Sequence, residues 1–106
     1  MSFMAQSPTI CISTTGTSKS LALAGCVKAR LVNTSNSIIL YFQFGAGSAT
    51  AVIPTADNAT GTACVVVPPL QDVVVDVPQG TTHVACIASA AGPTLAYVTP
   101  GAEIVR

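Results

Sequence analysis

Tryptophan is missing from this 106-residue chain, histidine occurs once, and only 8% of the residues are charged, against about 25% in an ordinary soluble protein. Each scarcity removes a class of function. Four basic residues (Lys19, Lys28, Arg30, Arg106) and four acidic ones (Asp57, Asp72, Asp76, Glu103) cancel to a net charge of zero. Affinity for a nucleic-acid backbone comes from Lys and Arg that neutralise several phosphates together, and the sequence has no such cluster. No nucleic acid is expected as a partner. The apolar runs are broken by Lys28, Arg30, Pro54, Pro68, Pro69 and Pro78. None approaches the ~18 residues a membrane-spanning helix requires, so no membrane is expected either.

Catalytic constellations are equally scarce. Paired-carboxylate chemistry needs two acids held across a substrate, whereas Asp72 and Asp76 fall on one face of a strand, about 13 Å apart at strand rise. A nucleophile–histidine arrangement has only His83 as its base, and no G-x-S-x-G accompanies it. The stretch "TTGTSKS" lacks the glycines that a phosphate loop places before its lysine. Cys11, Cys26, Cys64 and Cys86 show neither CxxC nor Cys/His ligand spacing, so a zinc site would have to gather His83 with scattered thiols. The chain is expected to be no enzyme and to carry no metal or cofactor. His83, directly after the Gln79-Gly80 turn, is expected to make a turn or interface hydrogen bond.

The opening "MSFMAQSPTICIS" has no basic segment and no long apolar core, so it does not read as a secretory signal. Synthesis and retention in a cytoplasm are expected. In that reducing compartment the four cysteines are expected to be buried small hydrophobes. The sequons at Asn33-Thr34-Ser35 and Asn58-Ala59-Thr60 are then chance matches in turns.

What the chain does have is β-forming residues. Half of it is apolar, Val, Ile and Thr prevail over helix formers, and Gly, Pro, Asn and Ser clusters recur at short intervals. The length fits one domain with a real core. The prediction is an all-β protein, a single antiparallel β-sandwich over residues 8–106, preceded by residues 1–7 as a frayed end or an arm laid on a neighbour. Strands are predicted near 8–13, 19–24, 26–33, 38–44, 49–53, 63–67, 71–77, 82–89, 94–98 and 102–105. Turns are predicted at Thr15-Gly16, Asn33 to Asn36, Gly45 to Gly47, Asp57 to Gly61, Pro68-Pro69, Gln79-Gly80, Gly92-Pro93 and Pro100-Gly101.

Alternation assigns faces to several strands. In "LQDVVVDV", Val73, Val75 and Val77 form a core face, and Asp72, Val74 and Asp76 face solvent or a partner. In "CVKARLVN", Val27, Ala29 and Leu31 oppose Lys28, Arg30 and Val32. Pairing these two strands would set the bases against the acids, but the sequence does not establish that pairing. "SIILYFQF" and "HVACIAS" are apolar on both faces, where a sandwich strand normally keeps one wet face. Either these strands are covered within the chain, or Ile39, Tyr41, Gln43, His83 and Ile87 meet a partner; for residues 39–43 the partner is the favoured reading. Phe3 and Met4 are the candidate anchors of an N-terminal arm. Composition alone leaves two surfaces open, one of Ser, Thr, Asn and Gln facing water, the other largely covered by neighbours in an assembly.

"VPQGTTHVACIASAAGPTLAYVTPGAEI" holds a V-P-x-G-x-T-H-V-A turn and strand, a short hairpin, and L-x-Y-V-T-P-G; "RLVNTSNSIILYFQFG" holds an R-x-x-N turn and a strand ending F-G. Over residues 26–104 this resembles small structural proteins of tailed bacteriophages, and most nearly the capsid decoration, or cement, proteins. The resemblance implies a compact sandwich, often of jelly-roll type, on the exterior of the virion capsid. It implies contact with the major capsid protein of an HK97-type shell and with itself, as a homodimer or homotrimer. The motifs are turns and strands, so no functional residue carries over. Cement requires many weak simultaneous contacts instead of an active site. A neck, tail or fibre-base component of the virion would use the same module. A carbohydrate-binding sandwich is a further alternative, with Tyr41 and Tyr97 as its only aromatic platforms.

Overall fold

The computed structural model describes residues 2–47, 49–53, 65–90 and 94–104. Among them the chain is all-β and forms two antiparallel sheets packed face to face. The strands are β1 (Ser2–Ala5), β2 (Ile10–Thr14), β3 (Lys19–Ala22), β4 (Lys28–Asn33), β5 (Leu40–Gly45), β6 (Val65–Val67), β7 (Asp72–Asp76), β8 (His83–Ala88) and β9 (Thr94–Ile104). In the first sheet, β9 pairs with β4 on one side, and β4 with β7; β1 and β2 share the other side of β9. The second sheet runs β3-β8-β5-β6.

Alternation drives the layering as the sequence predicts. Leu40, Phe42 and Phe44 of β5 point inward opposite Ala88, Cys86 and Val84 of β8. They meet Ile12, Ala29, Leu31, Ala96 and Val98 from the first sheet in one buried cluster. Each such large side chain taken wholly from water stabilises the fold by about 1.5–3 kcal/mol. The predicted faces of β4 and β7 hold within both strands; Val27, one residue before β4, is exposed instead of buried. The two strands are neighbours, with Lys28 opposite Asp76.

The sheets are also joined by polar groups. Asn33, at the end of β4, is only 2% exposed. Its side-chain amide donates to the carbonyls of Ile38, Val67 and Pro68 at 2.7, 3.1 and 3.2 Å, and its side-chain oxygen accepts from Ser35 N–H. A buried amide held this way is satisfied at both ends. The Asn33 side chain of the first sequon is thus taken up in the folded interior at the end of β4 instead of standing in a turn; Asn58 lies outside the described residues.

Three sequence expectations need correction. The Pro100-Gly101 turn does not exist, and the strands predicted at 94–98 and 102–105 are one strand, β9. Pro100 is tolerated because its nitrogen faces the side of β9 where β1 and β2 are interrupted, while its carbonyl accepts from Gln6 N–H at 2.9 Å. Gly101 is required because a Cβ there would lie 2.5 Å from the Phe3 ring and against the Met4 carbonyl. The predicted strand at 49–53 is not a strand. Serine hydroxyls take the place of a ladder, Ser20 Oγ accepting from Ala49 N–H and Ser18 Oγ from Ala51 N–H. The first residues are neither frayed nor free of the body: residues 2–5 form β1 on β9 of the same chain. The predicted turns at 57–61 and 92–93 lie outside the described residues.

Candidate functional site

The seven predicted interface residues fall into two groups on opposite sheets. Tyr41, Gln43, His83 and Ile87 lie on the outer face of the second sheet, with Tyr41 opposite Ile87 and His83 opposite Gly45. Ile39 immediately precedes β5. All five are half-buried. The same face carries Ala85, which is fully buried although it points away from the core. Burial of an outward alanine requires something laid over it. The segment bound to Ser18 and Ser20 runs along this face, and its Ala51 is 1% exposed. The chain therefore covers part of this face itself, which is the physical reason two-faced apolar strands occur here.

His83 sits where the turn reading places it. Its Nδ1 lies 2.9 Å from the Thr82 hydroxyl, and Thr82 Oγ1 also accepts from Gly47 N–H at 2.8 Å. The pair ties the start of β8 to the loop after β5. Gly80 holds a φ of +88° in the preceding turn, where Thr81 N–H reaches the Pro78 carbonyl at 3.2 Å. Among the described residues, no group of three or more His, Cys, Asp or Glu is placed to hold a metal ion, and no helix is long and apolar enough to cross a membrane.

Phe3 and Met4 belong to the other sheet. Phe3 covers Gly101, and Met4 is exposed. The outer face of this sheet follows from the registers. One row across it reads Asp72, Val32, Tyr97, Cys11; the next reads Val74, Arg30, Thr99. Lys28 forms an ion pair with Asp76, and Arg30 Nε reaches diagonally past Val74 to Asp72 at 2.8 Å. Exposed pairs of this kind contribute at most about 1 kcal/mol each. Their larger effect is to cancel one another's charge among the described side chains of the face. Val74 and Leu95 remain 45% and 43% exposed on it. Alternation found Val74 in the sequence; Leu95 escaped because its strand was not assigned faces.

The cysteines divide by position. Cys86 is fully buried, and burial pushes its thiol up to about 12. Cys26 is part-buried, so its thiol is also raised, with a Gly101 backbone hydrogen bond pulling the other way. Cys11 is exposed, contrary to the expectation of four buried thiols, because β2's alternation puts it beside Tyr97. Cys64 lies outside the described residues.

Protein-family models, curated proteins and solved structures all give no match to this chain. The likeness to phage decoration proteins therefore rests on the turn-and-strand patterns alone.

Proposed function

We propose that this chain is a non-enzymatic structural protein of a virion, a cement protein that binds the outer surface of an HK97-type shell and stabilises it. The observation that carries the reading is the outer face of the first sheet. Among its described side chains four charges are cancelled in two pairs, and Val32, Val74, Leu95 and Tyr97 share the face with them. A half-apolar face whose described basic residues are all paired with acids suits docking to another protein surface far better than to a polyanion or a small substrate. Many copies docked this way add weak contacts into a strong total, and binding only the closed shell stabilises it by mass action.

The test is the copy number of the chain in purified virions, measured by peptide quantification against the major capsid protein. A simple ratio to that subunit, with shells that release DNA at lower temperature when the chain is absent, is the expected result. A few copies per particle would move the chain to the neck, tail or fibre base. Absence from virions would overturn the reading.

A further inference from the structure

β1 and β2 are nearly one strand. Both run antiparallel to β9 on the same side, with Ala5 opposite Gly101 and Ile10 opposite Val98. The four residues between, 6–9, therefore face only two, 99 and 100. Gln6 continues the β1 register through its bond to the Pro100 carbonyl. Thr9 continues the β2 register, its hydroxyl 2.6 Å from that of Thr99. Ser7 and Pro8 are the two surplus residues, outside both ladders, and form a bulge in an otherwise continuous edge.

This arrangement separates the N-terminal strand from the body at one point. On one side of the bulge, β1 is held by β9, through its ladder and through the Phe3 ring over Gly101. Any side chain at position 101 would collide with Phe3, so the seat is shaped for this strand. Met4, Ala5 and Gln6 are exposed, so among the described side chains of residues 3–6 only Phe3 is part-buried. On the other side, β2 stays locked by Ile12 and Thr14, both fully buried.

We infer that β1 is an exchangeable strap: straightening the Ser7-Pro8 bulge carries it off its own β9 and onto the same seat of a second copy. The ladder and the Phe3–Gly101 packing broken within one chain are then remade between two, the usual reason that strand exchange is inexpensive. A tight hinge favours the open form, and a chain of zero net charge does not repel its copy. Two hinge residues extend about 7 Å, so the partner's β9 must lie beside the first. A short tether holds β1 at its own seat at an effective concentration in the millimolar range. Exchange therefore occurs when copies are crowded, in concentrated solution or side by side on an assembled surface. The inference deepens the self-association part of the proposed function and does not depend on where in a virion the chain sits.

The test uses the full chain. Isotope-labelled and unlabelled protein are unfolded together, refolded and studied at millimolar concentration by isotope-filtered nuclear Overhauser spectroscopy, with native mass spectrometry across a dilution series. The expected result is a dimer fraction that grows with concentration and an interchain cross-peak between the Phe3 ring and the Gly101 α-protons. Phe3→Ala weakens the seat in the closed chain and in the exchanged dimer alike, so it is expected to change the dimer fraction by less than about threefold while loosening β1 in both. An oligomer in which the Phe3–Gly101 cross-peak is only intrachain overturns the strap while leaving self-association standing. A monomer at every concentration overturns the strap, and virion copy number then decides the proposed function separately.

Discussion

Asn33 of β4 donates its side-chain amide to the main-chain carbonyl of Val67 in β6, 3.1 Å away and in the opposite sheet. The same amide holds Ile38 and Pro68. One short side chain thereby fixes the end of the first sheet to the start of β5 and the end of β6. Asn33→Ala takes this partner from the buried Val67 carbonyl and from the part-buried Ile38 carbonyl and Ser35 N–H, and a buried group left unpaired costs about 1–3 kcal/mol. We expect a loss of about 2–4 kcal/mol in denaturant-melting stability. Asn33→Asp is expected to be no better, because it removes the donor and buries a charge. A loss below about 0.5 kcal/mol for both variants, the size of an ordinary surface substitution, would mean that the sheets are held by apolar packing alone.

Gly101 and Phe3 make a second dependence. Gly101→Ala places a methyl group where the Phe3 ring and the Met4 carbonyl now sit. Overpacking of this kind costs about 1–3 kcal/mol when the neighbour cannot yield. Here the neighbour can yield by leaving, so the cost is expected to be local. Hydrogen exchange should show the amides of Met4 and Gln6 losing protection while those of β2 and β8 keep theirs. Uniform loss of protection across both sheets would show that β1 is integral to the core and not a separable edge.

These two sites show what the sequence makes legible. The faces of β4, β5 and β7 follow from strict alternation, and the charge complementarity of "VKAR" and "QDVVVD" anticipates a pairing that the register then realises, Lys28 against Asp76. The length of β9 does not follow. Pro100-Gly101 carries every local sign of a turn, and only the interruption between β1 and β2, together with the ring of Phe3, explains a straight strand there. Those partners lie at the opposite end of the chain, invisible to local propensity. The segment at 49–53 misleads for a related reason: its composition suits a strand and Ala51 is buried, but Ser18 and Ser20 take the N–H groups of Ala51 and Ala49 in place of a neighbouring strand. For the candidate surface, alternation identifies Val74 but not its closure with Leu95 and Tyr97 into one face, because sheet order is needed to set β7, β4 and β9 side by side.

Leu70 supplies a prediction of opposite sign. It is 67% exposed and holds a φ of +57°, a left-handed conformation that costs a residue with a Cβ about 1–2 kcal/mol. Pro68 and Pro69 set the turn, and the Leu70 N–H bonds to the Ser35 carbonyl at 2.9 Å, which holds the strained residue in place. Leu70→Gly relieves the strain and sacrifices little burial, with part of the gain returned as unfolded-chain entropy. A net stabilisation of about 0.5–1 kcal/mol is expected by thermal and urea melting. A destabilised variant would show that the leucine side chain supports the turn more than its backbone strains it.

Cys86 makes stability depend on alkaline pH. Its thiol is buried opposite Phe42, and its ionisation is pushed from an ordinary value of 9.0 up to about 12. The native state therefore keeps the proton between those two values while the unfolded chain gives it up. Unfolding then releases a proton, so stability falls as pH rises through that interval and is at its fullest below pH 9. The slope contributed by one thiol is at most about 1.4 kcal/mol per pH unit. The informative quantity is the difference between wild type and Cys86→Ala, in which the contributions of all other groups cancel. The variant is expected to start lower, having forfeited buried packing, and to decline less steeply above pH 9, so that the two curves converge towards pH 12. Parallel curves would show that the native thiol ionises at its ordinary value, and that water reaches the interior between β5 and β8.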